Sequence, residues 1–432
     1  LSEITFKSAN ALFSQKKYDE AVDQFRCLID NNENPAFCSF LAGKCFDLLK
    51  QPEQAIPFFK KAVAYDDSNA VINREVERFF AANRLIPADK KIIWHYFPNT
   101  TNIGDSGSAA GIRSMLEGEN LFFFTLSCRN DTMDVLKSYD TRASAVIIGG
   151  GGLFFRQPLA SGWYFPLSYQ EMTGLHVPVI TYAVGLNREF SDDGVWNLDE
   201  AFIGRIAQFH KGFALKSVRD LWTKTSLEKA GVHDLSLVPC PSAFLKPLPW
   251  FNVGIDESST IVGISITDRS FNNEGKSKLA AVFIAFARWL SQNNFFPLFI
   301  LQDSADDLPL AKLIRQNSFP CILPNTAREA VSVYKKCSFV IGMRGHSLII
   351  AAGQGIPVLG IAYNEKISAF MDLLDMQDYC INQNDIVGCG DLIKQFERLS
   401  SGKNELMSRL KLKRELFYTM NLHYTEKVVK VL

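Results

Sequence analysis

Apolar and polar positions along the chain fall into two regimes. Up to about residue 84 the apolar residues recur at helical spacing. From about residue 91, short continuous apolar runs of strand length alternate with amphipathic helical stretches. The first regime repeats itself. Ala21 and Phe25 return as Ala55 and Phe59, Ala9 is matched by Gly43, and Tyr18-Asp19-Glu20-Ala21 is answered by Pro52-Glu53-Gln54-Ala55, each 34 residues on. A period of 34 with small residues where helices cross is the tetratricopeptide pattern. Residues 1–84 are therefore expected to form TPR-like helical repeats, capped by a third helix over Ala70 to Ala82. A helix pair of this kind cannot bury its apolar face alone, so repeats stack. Two uses fit the pattern equally: docking of a protein partner, or a structural extension that serves as a self-association contact.

The second regime predicts two open α/β domains, over 90–250 and 258–380. In the first, strands are expected at Lys91 to Tyr96, Ala145 to Ile148, Val177 to Leu186, Ala214 to Asp220 and Leu235 to Pro241. A proline-containing linker follows from residue 246. The second is expected to carry strands at Ile261 to Ile266, Pro297 to Gln302, Phe339 to Gly342 and Pro357 to Ile361. Its helices are expected over Lys278 to Asn293 and Ala330 to Cys337. Residues 385–432 read as amphipathic helices that pack back on the core, and their Lys and Arg runs read as solvated faces. Two Rossmann-like domains, a linker and a C-terminal helix crossing back make a GT-B-type arrangement, whose active site is the cleft between two rims of strand ends.

Composition narrows the function classes. Hydrophobic residues at 47% and charged residues at 21% describe an ordinary globular protein, and 432 residues suit two or three domains. A net charge of zero gives no support for nucleic-acid binding. The nine cysteines are scattered without Cys-x-x-Cys pairs, so neither a zinc site nor a disulfide framework is expected. A reducing, cytoplasmic setting fits best. No apolar run is long enough to span a membrane and the start lacks a signal-peptide pattern. Because it opens on Leu1 rather than Met, a trimmed N-terminus is expected. The 34 phenylalanines, including Phe122-Phe123-Phe124 and Phe295-Phe296, read as packing.

Candidate chemistry gathers at the strand ends. Phe339 to Ile361 reads as strand, polar turn, apolar helix and strand, and its turn holds Arg344 and His346 two residues apart. Ligands of parallel α/β sheets sit outside such carboxyl ends. This Arg-x-His pair is either an ordinary polar loop or a site that binds an anion and moves a proton. Asn99 to Ser108 is a glycine-bearing loop ahead of a helix expected to start near Ser106, a natural anion seat. It lacks the Gly-x-Gly-x-x-Gly dinucleotide pattern. Gly149-Gly150-Gly151-Gly152 after a buried strand requires a sharp turn or a close approach. Asp105, the four glycines, Gly185 and Arg219 are thus expected along one rim. Arg219-Asp220 also fits a plain ion pair at a helix start, and Lys366 an ordinary loop lysine. His95, His176, His210, His233 and His423 read as structural.

Taken in order, Asn102-Ile103-Gly104-Asp105, Gly149-Gly150-Gly151-Gly152-Leu153, Ser217-Val218-Arg219-Asp220, Gly342-x-Arg344-x-His346, Pro357-Val358 and Tyr363-x-x-Lys366 resemble the polysaccharide pyruvyl transferase family over about residues 91 to 375. The tetratricopeptide-like segment lies outside that resemblance. Cys240-Pro241 stands where the family often has Asp-Pro, and Gly345 where it usually has leucine, which is expected to loosen the turn. The resemblance implies phosphoenolpyruvate as donor substrate, a glycan or glycolipid acceptor, and a pyruvate ketal with free phosphate as products. It implies no cofactor and no obligatory metal. Adding a hydroxyl to C2 of an enol ether needs a proton at C3, for which His346 is the fitting acid/base. A donor with a carboxylate and a phosphate needs fixed cations, assigned to Arg344, Arg219 and Lys366 with Gly150 and Gly151. Asp105 and Asn102 would meet the acceptor. The place of work would be the membrane face where glycans are assembled.

Two rivals stand beside this reading. A GT-B glycosyltransferase using a nucleotide sugar would want an acidic residue on the ribose, for which Glu365 is the candidate near the rim. A non-catalytic scaffold would work through the repeats alone.

Overall fold

A computed structural model describes residues 4–98, 102–138, 143–187, 200–255, 258–267, 273–303 and 307–432. Asn99, Thr100 and Thr101 of the first loop motif lie outside the described residues. So does part of the expected linker.

Five helices open the chain: α1 (Phe6–Ser14), α2 (Tyr18–Asp30), α3 (Pro35–Leu48), α4 (Pro52–Tyr65) and α5 (Ala70–Ala82). The repeated small positions sit at the crossings. Ala9, Ala21 and Ala55 are wholly buried, and a Cβ on Gly43 would lie 2.7 Å from the Phe59 ring. Phe25, Phe59 and Phe79 fill the core between them.

The first α/β domain runs β1 (Lys91–Phe97), α6 (Ile103–Met115), β2 (Leu121–Ser127), α7 (Met133–Ser138), β3 (Ala145–Gly149), α8 (Tyr169–Thr173), β4 (Val179–Tyr182), α9 (Glu200–Lys211), β5 (Ser217–Val218), α10 (Leu221–Lys229) and β6 (Ser236–Leu237). Its parallel sheet has the order β2-β1-β3-β4. Bridges Ile180↔Leu215 and Val184↔Val218 carry it on to the short pair β5-β6. Strand order reverses between β1 and β3, the crevice where such sheets bind ligands. The loop of Asn102 and the four-glycine turn both open there.

The second domain runs β7 (Thr260–Ser265), α11 (Asn273–Gln292), β8 (Phe295–Ile300), α12 (Leu308–Gln316), β9 (Cys321–Ile322), α13 (Ala327–Tyr334), β10 (Phe339–Gly342), α14 (Gly345–Gly353), β11 (Val358–Ala362), α15 (Glu365–Leu373) and β12 (Cys380–Asn382). The sheet order β12-β11-β10-β7-β8-β9 is the doubly wound dinucleotide-fold order, and it reverses between β7 and β10. Arg344 and His346 follow β10, so they stand at that switch point. The strand expected from Pro297 begins two residues earlier, because Phe295 and Phe296 pair with Thr260 and Ile261.

One of the two C-terminal helices joins the halves. α16 (Cys389–Ser401) packs on the second domain, and α17 (Lys403–Val431) bridges. Leu406, Leu410 and Phe417 belong to the second core, whereas Tyr424 and Val428 lie against Ile93, Ile112 and Ile180 of the first. Tyr424 donates to the Thr181 carbonyl at 2.7 Å and Asn421 to that of Pro239 at 2.9 Å. On the other side Arg328 of α13 reaches Asp67 at 3.1 Å, and Trp250 donates to the Tyr65 carbonyl at 3.4 Å. α5 meanwhile holds the first domain through Arg74–Asp131 and Glu77–Arg113, at 2.9 and 2.7 Å.

Candidate active site

α6 decides how closely the domains meet. Its sequence, Ile-Gly-Asp-Ser-Gly-Ser-Ala-Ala-Gly-Ile, is poor in bulk because the second domain lies along it. A Cβ on Gly107 would come within 2.8 Å of that of Ala327 in the second domain, and one on Gly111 within 2.5 Å of the Pro241 backbone, in the segment that leads to it. A Cβ on Gly104 would collide with His346 Nδ1. The helix starts at Ile103 rather than near Ser106: Asn102 caps it, its Oδ1 accepting from the Gly104 amide at 2.9 Å. That shift moves Asp105 from the loop into the first turn. The Ile103 amide donates across the cleft to the Gln302 carbonyl at 3.1 Å.

Between the domains lies a cavity of about 300 Å3 lined by Asn102, Asp105, Gly152, Arg219, Arg344, His346 and Lys366, among others. Six of the eight expected site residues therefore share one space. Gly150 and Gly151 do not line it. They take φ of +111° and +129° and pack behind it, Gly150 on Phe97 and Gly151 on the Asp105 carboxylate. Their work is to let α6 approach the turn, while Gly152 faces the cavity.

His346 Nε2 lies 2.9 Å from Ser108 Oγ, which also lies 3.0 Å from Cys240 Sγ. Cys240 is buried, lines the cavity and reaches Ser242 at 3.1 Å, so the position that is often Asp in the resemblance holds a sulfur between two serine hydroxyls. Burial first, then the Arg219, Lys366 and Arg344 charges, push the His346 pKa down to about 3. Cations from both domains thus converge on one imidazole.

Each cation is held differently. Arg344 is buried and its Nη2 donates to Asp307 at 2.5 Å, while its Nε is buried without a protein partner. Asp307 is fixed in turn by the Gln302 and Asp303 amides, both at 3.1 Å. Arg219 lies over Gly185, where a Cβ would meet its Nε, and contacts Asp220 at 3.5 Å and Asn187 Oδ1 at 3.5 Å. Asp220 mainly caps α10, accepting from Thr223 at 2.7 Å, so its bond to Arg219 is secondary. Lys366 Nζ stands 5.7 Å from the Tyr363 ring centroid. Neither α14 nor α15 carries a side-chain cap at its N-terminus, whereas α6 and α10 do. Amides at uncapped helix starts beside fixed cations favour an anion.

Gly345 does not loosen the turn. It is the first residue of α14, has no left-handed φ, and a Cβ there would meet only Ile367 at 3.9 Å. His95, His176, His210, His233 and His423 lie off the cavity. Sequence reasoning passed over Asp307, Ser108, Arg129, Asn187, Phe155 and Tyr164. Asp307 follows no recognisable pattern, and the others acquire meaning only when 238-residue separations such as Ser108–His346 close. Among the described residues no group of His, Cys, Asp or Glu is placed to hold a metal ion. None of their helices is long and apolar enough to cross a membrane.

The profile of the polysaccharide pyruvyl transferase family matches residues 66–365. The chain belongs to this family. It is a transferase, and pyruvyl transfer to a glycan is its reaction. The match begins earlier than the sequence motifs suggested and takes in α5, part of the helical segment expected to fall outside. It ends one residue before Lys366. No curated protein matches the chain. Among solved structures, UDP-GlcNAc 2-epimerase from Neisseria meningitidis bound to UDP-GlcNAc is similar at 12% identity and a TM-score of 0.52, over 79% of this chain and 100% of that one. The putative UDP-N-acetylglucosamine 2-epimerase of Listeria monocytogenes follows at 11% and 0.49, over 74% and 90%. The wall teichoic acid polymerase TagF, H548A, gives 10% and 0.48, over 92% and 97%. At such identity the first of these speaks to the fold alone: two Rossmann-like domains in the GT-B arrangement.

Proposed function

We propose that this pyruvyl transferase takes phosphoenolpyruvate as donor and forms a cyclic pyruvate ketal on two hydroxyls of a sugar, releasing phosphate. The observation that carries this reading is the convergence of Arg219, Arg344 and Lys366 on His346 within one cavity. A small trianion with a carboxylate and a phosphate matches three cations and two uncapped helix starts. Arg344 Nε, buried without a partner, is a ready donor to the carboxylate. Lys366 and the α14 and α15 amides suit the phosphate.

His346 is assigned as acid/base. Its Nε2 lies on Ser108 and its Nδ1 against Gly104, and the ring lines the cavity. Burial and the three cations keep the ring neutral at ordinary pH. Donor anions reverse that, because opposite charge within a few ångströms favours the imidazolium. The proton for C3 thus arrives with the substrate that needs it. Asp105 and Asn102, on the first-domain side, face the acceptor, and Phe155 and Tyr164 stack there at 5.1 Å as an aromatic wall suited to a sugar face. No cofactor is required for this chemistry. Helices α1 to α4 fit a tetratricopeptide-like pair that docks a protein partner or a second copy. A cytoplasmic location beside the membrane where glycans are built fits the acceptor class.

Thermal unfolding with ligands separates this from a nucleotide-sugar enzyme. Phosphoenolpyruvate at about a hundredfold over its Kd should stabilise by about 2.7 kcal/mol, and UDP-sugars should not. The reverse ranking favours the glycosyltransferase reading.

A further inference from the structure

A ketal carries two acceptor oxygens on C2, so two hydroxyl protons must move. The first, in net terms, ends on C3 through His346. The second must leave its hydroxyl while the C2–O bond to phosphate breaks, and the departing phosphate needs a proton. His346, tied to Ser108 on the first-domain side, is not the group nearest that phosphate. Resting on the donor reading above, we propose that Tyr363 is the second acid–base group of the reaction, protonating the departing phosphate and then taking the proton of the second acceptor hydroxyl.

Tyr363 lines the cavity directly after β11, between the Arg344–His346 turn and Lys366. Lys366 Nζ stands 5.7 Å from its ring centroid, at the uncapped start of α15 where the donor reading puts the phosphate. A phenol is both donor and acceptor, so it can give a proton and take one back. Burial raises its pKa, but the Lys366 and Arg344 charges outweigh this and hold the phenol below its ordinary value. The core phenols Tyr182, Tyr334 and Tyr424, buried away from the cavity lining, are pushed up by burial instead, Tyr334 despite the Arg344 charge. Of the other acids of the cavity, Asp220 caps α10, Asp105 lies against Gly151, and Asp303 bridges to Asn102 through its backbone. The step balances. The phenol proton passes to the phosphate oxygen as the C2–O bond breaks. The second hydroxyl then bonds to C2 and returns its proton to the phenolate, so Tyr363 ends as it began.

The test is Tyr363→Phe, which keeps the ring and removes only the hydroxyl. It is assayed in deuterium oxide with phosphoenolpyruvate and the best acceptor from a panel of methyl glycosides. Two quantities are read, phosphate release and deuterium entry at C3 of recovered phosphoenolpyruvate. The variant should lose at least about a hundredfold in phosphate release, within the range for an acid–base group. It should still exchange at C3, because the first addition forms and reverts. Release within about threefold of wild type, or exchange and release lost together, overturns the assignment. Wild-type protein that releases no phosphate from phosphoenolpyruvate with any acceptor overturns the donor reading instead, and this inference with it.

Discussion

The Cα of Gly104 and the imidazole of His346 press against each other across the domain interface, so closely that a Cβ at 104 would overlap Nδ1. Glycine at this position is a condition for seating the proposed acid/base. Gly104→Ala should displace the ring and lower phosphate release at least about a hundredfold, while circular dichroism and the melting curve show a folded protein. Release near the wild-type rate would mean the ring's seat on α6 has no part in turnover.

Arg344 and Asp307 form a buried pair whose carboxylate also accepts two backbone amides. Removing one partner strands the other charge, at a cost of about 3–5 kcal/mol. Asp307→Ala should show that loss in denaturant unfolding and should also weaken donor affinity, since the guanidinium loses its anchor. A variant as stable as wild type would place Arg344 in solvent, contrary to its burial.

Donor binding should take up protons. His346 is depressed to about 3 by burial and three cations, and a trianion offsets those cations. Above about pH 7 the donor phosphate is fully ionised, its second pKa being about 6, so uptake there reports the protein. Calorimetry of phosphoenolpyruvate binding in buffers of different ionisation enthalpy should find net proton uptake, and His346→Gln should abolish it. For stability the sign is the usual one for a depressed histidine. Below about 6.5 the unfolded chain binds the proton and the folded ring does not until about 3, so stability is lost as pH is lowered across that window.

Glu77 of α5 is buried, accepts from the Thr125 amide at 2.5 Å and pairs with Arg113 at the far end of α6. Burial raises its pKa, against the pull of Arg113. Glu77→Ala strands Arg113 and should destabilise by about 3 kcal/mol. Hydrogen exchange should quicken first in α5 and β2, which that carboxylate joins.

The chain's own pattern revealed what is local. The β10–α14 turn carrying Arg344 and His346, the 34-residue spacing of the small helical positions, and the glycine turn after β3 each follow from short-range periodicity. What stayed hidden is long-range. Nothing near Ser108 or Cys240 says that they meet His346, and nothing around Asp307 says that it anchors Arg344. The four-glycine run was legible as a close approach but not as to what approaches: Asp105 and α6, with Gly152 the one glycine of the four on the cavity. The start of α6 lies three residues before the expected one because Asn102 caps it. Charge lines were readable as candidates, and only the fold showed which cations share a space.

The central claim is that Arg219, Arg344, Lys366 and His346 form a phosphoenolpyruvate pocket serving a sugar acceptor. Its most direct measurement is phosphate release from phosphoenolpyruvate across a panel of acceptor glycans, with each product weighed by mass spectrometry. The account predicts stoichiometric phosphate and a pyruvate ketal on at least one acceptor, both lost in Arg219→Ala and His346→Ala. Ketal formation that survives those substitutions, or consumption of a nucleotide sugar in place of phosphoenolpyruvate, would contradict it.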